Sequence, residues 1–239
     1  MPAVSRLRHA LISAFALLLL GAAPAFASSI REVGEYDDVP LPQAGCPLNC
    51  QAIGHVTGYQ VQIGTHKNPY VIKRAGKIVA WTIRLGKPDA QQTQFFANLF
   101  GSPPQARLTL LKKPKADKPK TNDLKILGQS ELFDLSNYLG STPTFALSKP
   151  LVVPAGSTLA ITVPTWAPAF AINLGPDEAW RSSRNKSDCN GTSQTAHQKV
   201  GKTHSYDCFY RTARLLFTAS FVPDPKPTST STQQGAKQR

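Results

Sequence analysis

The sequence predicts an all-β fold: an antiparallel β-sandwich, jelly-roll-like, with one short helix and a long disulfide-tied loop. Three observations carry that expectation. Apolar residues recur with a period of two over about eight to ten short runs, the spacing of half-buried strands. The chain holds 20 prolines and 16 glycines, enough to punctuate those runs with turns. One stretch alone changes to a helical pattern. A β domain of about 170 residues suits a jelly roll better than an immunoglobulin-type domain of about 100.

In chain order, residues 1–27 read as a signal peptide. Arg6 and Arg8 supply the positive start, residues 11–20 (LISAFALLLL) the apolar run, and Ala25-Phe26-Ala27 the small-x-small site before Ser28. That run is shorter than the roughly 20 residues a bilayer span needs. Residues 28–54 are acidic and then turn-rich, with Pro40, Pro42 and Pro47. They read as an irregular N-terminal segment held down by Cys46 and Cys50. Ala44-Gly45-Cys46 resembles a lipobox but follows polar residues, so no lipid anchor is expected there.

The β-sandwich domain is expected over 55–222. Tyr59, Val61 and Ile63 alternate with Gln60 and Gln62; Val79, Trp81, Ile83 and Leu85 alternate with Ala80, Thr82 and Arg84. Further runs carry Leu108 with Leu110, Leu124 with Ile126, Phe145 with Leu147, and Leu159, Ile161 and Val163. Phe170, Ile172 and Leu174 follow, and the last run holds Leu215, Phe217, Ala219 and Phe221. Arg74-Ala75-Gly76 and Pro154-Ala155-Gly156-Ser157 read as hairpin turns. Asp89 caps a short helix that runs to Leu99, with Gly101 as its stop and an apolar face of Phe95, Phe96, Leu99 and Phe100. Residues 112–120 (KKPKADKPK) read as a solvated Lys/Pro loop, and 223–239 as a disordered basic C-terminal tail.

The chain has 27 Lys+Arg against 14 Asp+Glu; losing Arg6 and Arg8 with the leader leaves 25 against 14, an excess of +11. A secreted domain of this charge is drawn to polyanions, although its Lys clusters sit in loops and tails. Basic residues are not interleaved with aromatics, so nucleic acid is not an expected partner. The four cysteines favour disulfides in an exported chain. Cys46–Cys50 and Cys189–Cys208 are the local pairing; the rival joins Cys46 or Cys50 to Cys208. The spacing lacks the paired C-x2-C knuckles of structural zinc ribbons, so no metal is expected. No integral membrane segment is expected after leader cleavage.

Neither G-x-S-x-G, H-E-x-x-H, a phosphate loop nor a dinucleotide fingerprint occurs, so no catalytic residue and no cofactor is assigned. His55, His66, His197 and His204 read as ordinary loop or strand-end histidines. Glu35, Asp37, Asp38, Asp177 and Glu178 form the tight acidic clusters, and adjacent Asp177-Glu178 make a poor glycosidase pair. The binding candidates lie between Trp166 and Cys208. Trp166 and Trp180 are expected to offer stacking faces to sugar rings, with burial as the alternative. Arg181 and Arg184 are expected to contact anions, on a polar loop over 181–207 tied by Cys189 and Cys208. Asn185-Lys186-Ser187 and Asn190-Gly191-Thr192 match the glycosylation sequon, which would mark the loop as exposed only in a host that glycosylates; with a bacterial-looking leader they read as incidental.

The run over 144–171, TFALSKPLVVPAGSTLAITVPTWAPAFA, resembles the strand–turn–strand of secreted bacterial jelly-roll domains, with Val153 to Leu159 as the V-x-A-G-x-x-L turn. Over most of its length the chain resembles uncharacterised exported proteins of soil actinobacteria. These resemblances imply a fold and a compartment and supply no catalytic residue. The expected function is an exported binding protein for carbohydrate or an anionic cell-wall polymer. Its alternatives are a structural or interaction protein of the cell exterior, and a carbohydrate-active hydrolase or lyase.

Overall fold

The protein is described here by a computed structural model over residues 29–115 and 120–225. The expected leader at 1–27, residues 116–119 of the Lys/Pro loop and residues 226–239 of the expected tail lie outside the described residues. The strands, in order, are β1 (Arg31–Val33), β2 (Ile53–Ile63), β3 (His66–Lys67), β4 (Val71–Ile72), β5 (Gly76–Ile83), β6 (Gln105–Lys112), β7 (Asp123–Gln129), β8 (Phe133–Asp134), β9 (Thr144–Val153), β10 (Ser157–Ala167), β11 (Phe170–Ala171), β12 (Ala179–Ser182), β13 (Thr203–Ser205), β14 (Cys208–Arg211), β15 (Arg214–Leu215) and β16 (Phe217–Pro223). The helix α1 (Ala90–Phe100) lies between β5 and β6.

The strands form an antiparallel sandwich. One sheet has the order β1-β16-β5-β9; the other runs β13-β7-β6-β10-β2-β12-β14, with β3, β4 and β8 attached at its margins. β5 pairs with β9 in the first sheet and β6 with β10 in the second, so the chain passes from the first sheet to the second at β5–β6 and again at β9–β10, and the two pairs interlock. This corrects the two expected hairpins. β4 pairs with β10 while β5 pairs with β9 and β16, so Arg74-Ala75-Gly76 is a corner between sheets. The turn at 154–157 likewise carries β9 into β10 across the sandwich. Turn residues reverse the chain in both settings; only the partner of each strand decides which one results.

Several long pairings contain a bulge, and bulges shift the side-chain alternation. On β2, Val56, Gly58 and Gln60 are buried, while Tyr59 and Val61 are half-buried. The bulge against β12 then returns Ile63 to the core. The expected apolar face of 59–63 is therefore inverted over half its length. Trp81 and Ile83 are fully buried as the alternation predicts, but Ile78 takes the core position in place of Val79, again across a bulge.

The main core lies between the sheets and includes Val56, Ile78, Trp81, Leu108, Leu110, Ile161, Leu215 and Phe217. The opposite face of the larger sheet is also covered. Leu111, Leu124, Ile126, Ala160 and Tyr206 form a second cluster there, under the chain between β12 and β14.

The helix begins as expected. Asp89 accepts a hydrogen bond from the Gln92 amide, and the Gln92 side chain accepts one from the Asp89 amide, a reciprocal capping box. Gly101 ends the helix at φ +86. Phe96 and Phe100 pack on Trp166, whereas Phe95 and Leu99 of the expected apolar face are 60% and 38% exposed.

The N-terminal segment departs from expectation in two ways. Residues 31–33 form an edge strand against β16, and β2 already begins at Ile53. The segment is held to the body chiefly by arginines. Arg214 donates to the carbonyls of Gly34, Val39 and Pro40, and Arg84 to those of Leu41 and Pro42. The Cys46–Cys50 bridge closes a local turn whose Gly45 amide donates to Phe170 O at 3.1 Å. Both cysteines lie within the segment, so their bridge does not anchor it to the sandwich.

Two substitutions test these packing statements. Asp89→Ala removes the helix cap and is expected to cost about 1 kcal/mol in urea unfolding. Gly34 lies at φ +93 with the Tyr70 ring where a Cβ would stand, so Gly34→Ala is expected to cost more than Asp89→Ala.

Candidate functional site

β12 lies between β2 and β14, and its register sets the candidate site. Arg181 is the cross-strand partner of Tyr59 on one side and of Phe209 on the other. Successive strand residues point to opposite faces, so Tyr59, Arg181 and Phe209 make a transverse row on the outer face of the larger sheet. The Arg181 guanidinium lies 5.0 Å from the Phe209 ring centroid, and that of Arg211 lies 5.1 Å from it. Contacts of this kind contribute about 0.5–1 kcal/mol each at exposed sites. Phe209 nevertheless stays 41% exposed.

The row floors a groove of about 600 Å³. Its walls add Asn68, Lys113, Thr121, Asn122 and Thr158. Among the described residues, Lys113 and Arg181 are its cations and no carboxylate lines it. Burial raises the Tyr59 phenol above its ordinary range, so it remains a hydrogen-bond donor at neutral pH. Asn122 donates to the nearby Asp207 carboxylate at 2.8 Å, and Ser205 donates to it at 2.8 Å. These bonds hold that carboxyl below the usual range.

The chain between β12 and β14 is a strap over the same face. Cys189–Cys208 closes it, with a sequence separation of 19. Arg181 donates from Nη1 to the carbonyls of Tyr206 and Asp207 at 3.1 and 3.3 Å. Arg184 donates to Cys189 O and Gly54 O, both at 3.1 Å. Beneath the strap, the Thr57 and Thr109 hydroxyls meet Thr162 Oγ1 at 2.8 and 2.6 Å, and Thr57 Oγ1 donates to His197 O at 2.6 Å. The strap thus rests on hydroxyls as well as on the apolar cluster around Tyr206.

The four expected contact residues separate in the structure. Trp166 is fully buried against Phe96 and Phe100. Trp180 is 4% exposed and stacks on Tyr210 at 4.4 Å. Neither offers a free ring face, which corrects the stacking assignment: Trp180 faces the inter-sheet core, and Trp166, on the opposite face of the sheet, is covered by α1. Arg181 reaches the groove. Arg184 does not line it and uses its guanidinium to hold the strap. The aromatics that do border the groove, Tyr59 and Phe209, were not selected from sequence, because their alignment with Arg181 exists only in the register of three strands.

The histidines and acids fall elsewhere. His55 bonds to the carbonyls of Thr192 and Phe100, and His66 pairs with Asp38 at 2.9 Å. His197 and His204 are half-buried under the strap rather than exposed, with ring centroids 5.2 Å apart. Glu178 is buried beside Arg214. No protein-family model, no curated protein and no solved structure matches this chain.

The strap carries a pH dependence. Burial, and secondarily the neighbouring His204, lower His197 from 6.5 to about 4. The unfolded chain takes up that proton near 6.5, whereas the folded chain resists it down to about 4. Stability conferred by neutral His197 is therefore present above 6.5 and is lost as pH falls from 6.5 to about 4. Thermal unfolding across this window should show a falling midpoint, and His197→Asn should flatten that fall.

Proposed function

We propose that the protein is an exported binding protein whose outer-face groove holds an extracellular polysaccharide or anionic wall polymer. The observation that carries this reading is the Tyr59–Arg181–Phe209 row within a groove that, among the described residues, has two cations and no lining carboxylate. Aromatic rings meet the apolar faces of sugars, the Asn and Thr side chains meet hydroxyls, and Lys113 with Arg181 meets acidic substituents. The leader-like N-terminus, the two disulfides and the basic excess support a role outside the cytoplasm. Among the described residues, no helix is long and apolar enough to cross a membrane. The exposed Phe95 and Leu99 on α1 favour a second reading, an interaction protein that docks through the helix.

A binding screen against polyuronate, an anionic wall polymer and a neutral glucan, at about 0.05 and 0.5 M salt, tests the groove. Retained binding of an acidic polymer at high salt is expected, weakened about tenfold by Phe209→Ala or Lys113→Ala. Binding that vanishes with salt and ignores Phe209→Ala would reduce the interaction to net charge and overturn the assignment.

A further inference from the structure

The residue next to Arg181 opens a second question. Trp180 points to the opposite face of β12 and backs the ring of Tyr210, its partner on β14. Beside this pair lies a recess of about 360 Å³, where the start of β2 meets the ends of β11 and β14. Tyr210 is half-buried and forms its aromatic wall. Gln51, Asn173 and Asn190 line it as well, and their carboxamides are exposed with no hydrogen bond to described protein groups. Each of these amides carries donors and an acceptor, the complement of a row of sugar hydroxyls.

Charge points the same way. Among the described residues, Arg184 and Arg211 line the recess and no carboxylate does; Arg211 is exposed and donates from Nη1 to Pro176 O at 3.2 Å. Arg184 is bonded to Cys189 O and Gly54 O through Nη1 and Nη2, and its Nε is buried without a partner, so it shapes the wall rather than reaching a ligand. The backbone of the wall is also unusual. Asn173 and Thr212 both adopt left-handed conformations, at φ 60 and φ 59, and the Leu174 amide donates to Thr212 O at 3.0 Å between them. A β-branched residue is disfavoured in that region, and such strain tends to persist where a wall is shaped for a ligand.

We infer that this recess is a second binding site, which takes a single acidic sugar ring, a uronate, against Tyr210. The carboxamides address its hydroxyls and the exposed Arg211 its carboxylate. This site goes beyond the groove and does not depend on it, since the two share no lining residue.

Ligand-observed NMR on the full chain with glucuronate, galacturonate, mannuronate and glucose tests the inference. Saturable binding of at least one uronate is expected, with glucose at least about tenfold weaker. Asn173→Gly keeps the left-handed backbone and deletes one amide; combined with Asn190→Ala it should weaken the uronate about tenfold. Arg211→Gln should narrow the uronate-over-glucose preference to less than about threefold. Lys77→Ala, an exposed lysine on β5 of the other sheet that lines neither cavity, should leave uronate binding unchanged. Short oligouronates binding more tightly than the monomer identify a chain end as the ligand; preference for the monomer identifies the free sugar acid. The inference is overturned if no uronate binds, if the amide deletions have no effect, or if Lys77→Ala abolishes the signal.

Discussion

A buried charge holds this architecture together. Arg214 is fully buried, and its guanidinium lies 3.7 Å from the Glu178 carboxylate. It donates to three carbonyls of the N-terminal segment at 3.3 Å each. Gln60 completes the cluster: its amide donates to Glu178 at 3.2 Å and to Ala213 O at 3.1 Å, and its carbonyl accepts from the Leu215 amide at 3.1 Å. Burial raises the Glu178 carboxyl above its ordinary range, while Arg214 opposes that shift. A buried ion pair adds little over an apolar replacement, but removing one partner strands the other, at a cost of about 3–5 kcal/mol. The cluster therefore acts as a constraint: with Arg214 in place, the segment, β2 and the start of β12 have one mutual arrangement that leaves no carbonyl or charge stranded.

Function follows from where that arrangement places β12. Glu178 immediately precedes the strand, and Gln60 is the β2 partner of Trp180. Anchored at that end, β12 turns Trp180 inward toward Tyr210 and Arg181 outward toward Phe209. One strand thus divides two surfaces of different character: an open polar groove, proposed to hold a polymer chain, and a recess at the sandwich end, proposed to take one ring. The disulfide-closed strap completes the outer face. Covering both faces of the larger sheet explains why hydroxyls such as Thr57 and Thr162 are buried in a sheet that would otherwise present them to water.

What was legible in the sequence follows the range of each signal. The helix and its cap at Asp89 were readable because capping bonds join residues three apart. The two local disulfides were readable for the same reason. Strand positions were legible as apolar runs, and on most strands so was their facing; on β2 and at the start of β5 a bulged residue inverted it, as Gln60 and Val79 show. Corners resembled hairpins because Pro, Gly and Ser reverse the chain without naming its next partner. Of the expected contact residues, Arg181 reached the groove, while Trp166 and Trp180 were drawn into the core by the apolar surface they bury. The Arg214–Glu178–Gln60 cluster had no local signature, since its members come from strands distant in sequence.

The most direct test is a double-mutant cycle between Arg214 and Glu178, read by urea unfolding at neutral pH. Arg214→Met should cost about 3 kcal/mol or more, because Glu178 and three carbonyls lose their donor. Adding Glu178→Gln should recover part of that loss by removing the stranded charge. An Arg214→Met variant within about 0.5 kcal/mol of the parent would contradict the account, since the cluster would then be incidental to the placement of β12.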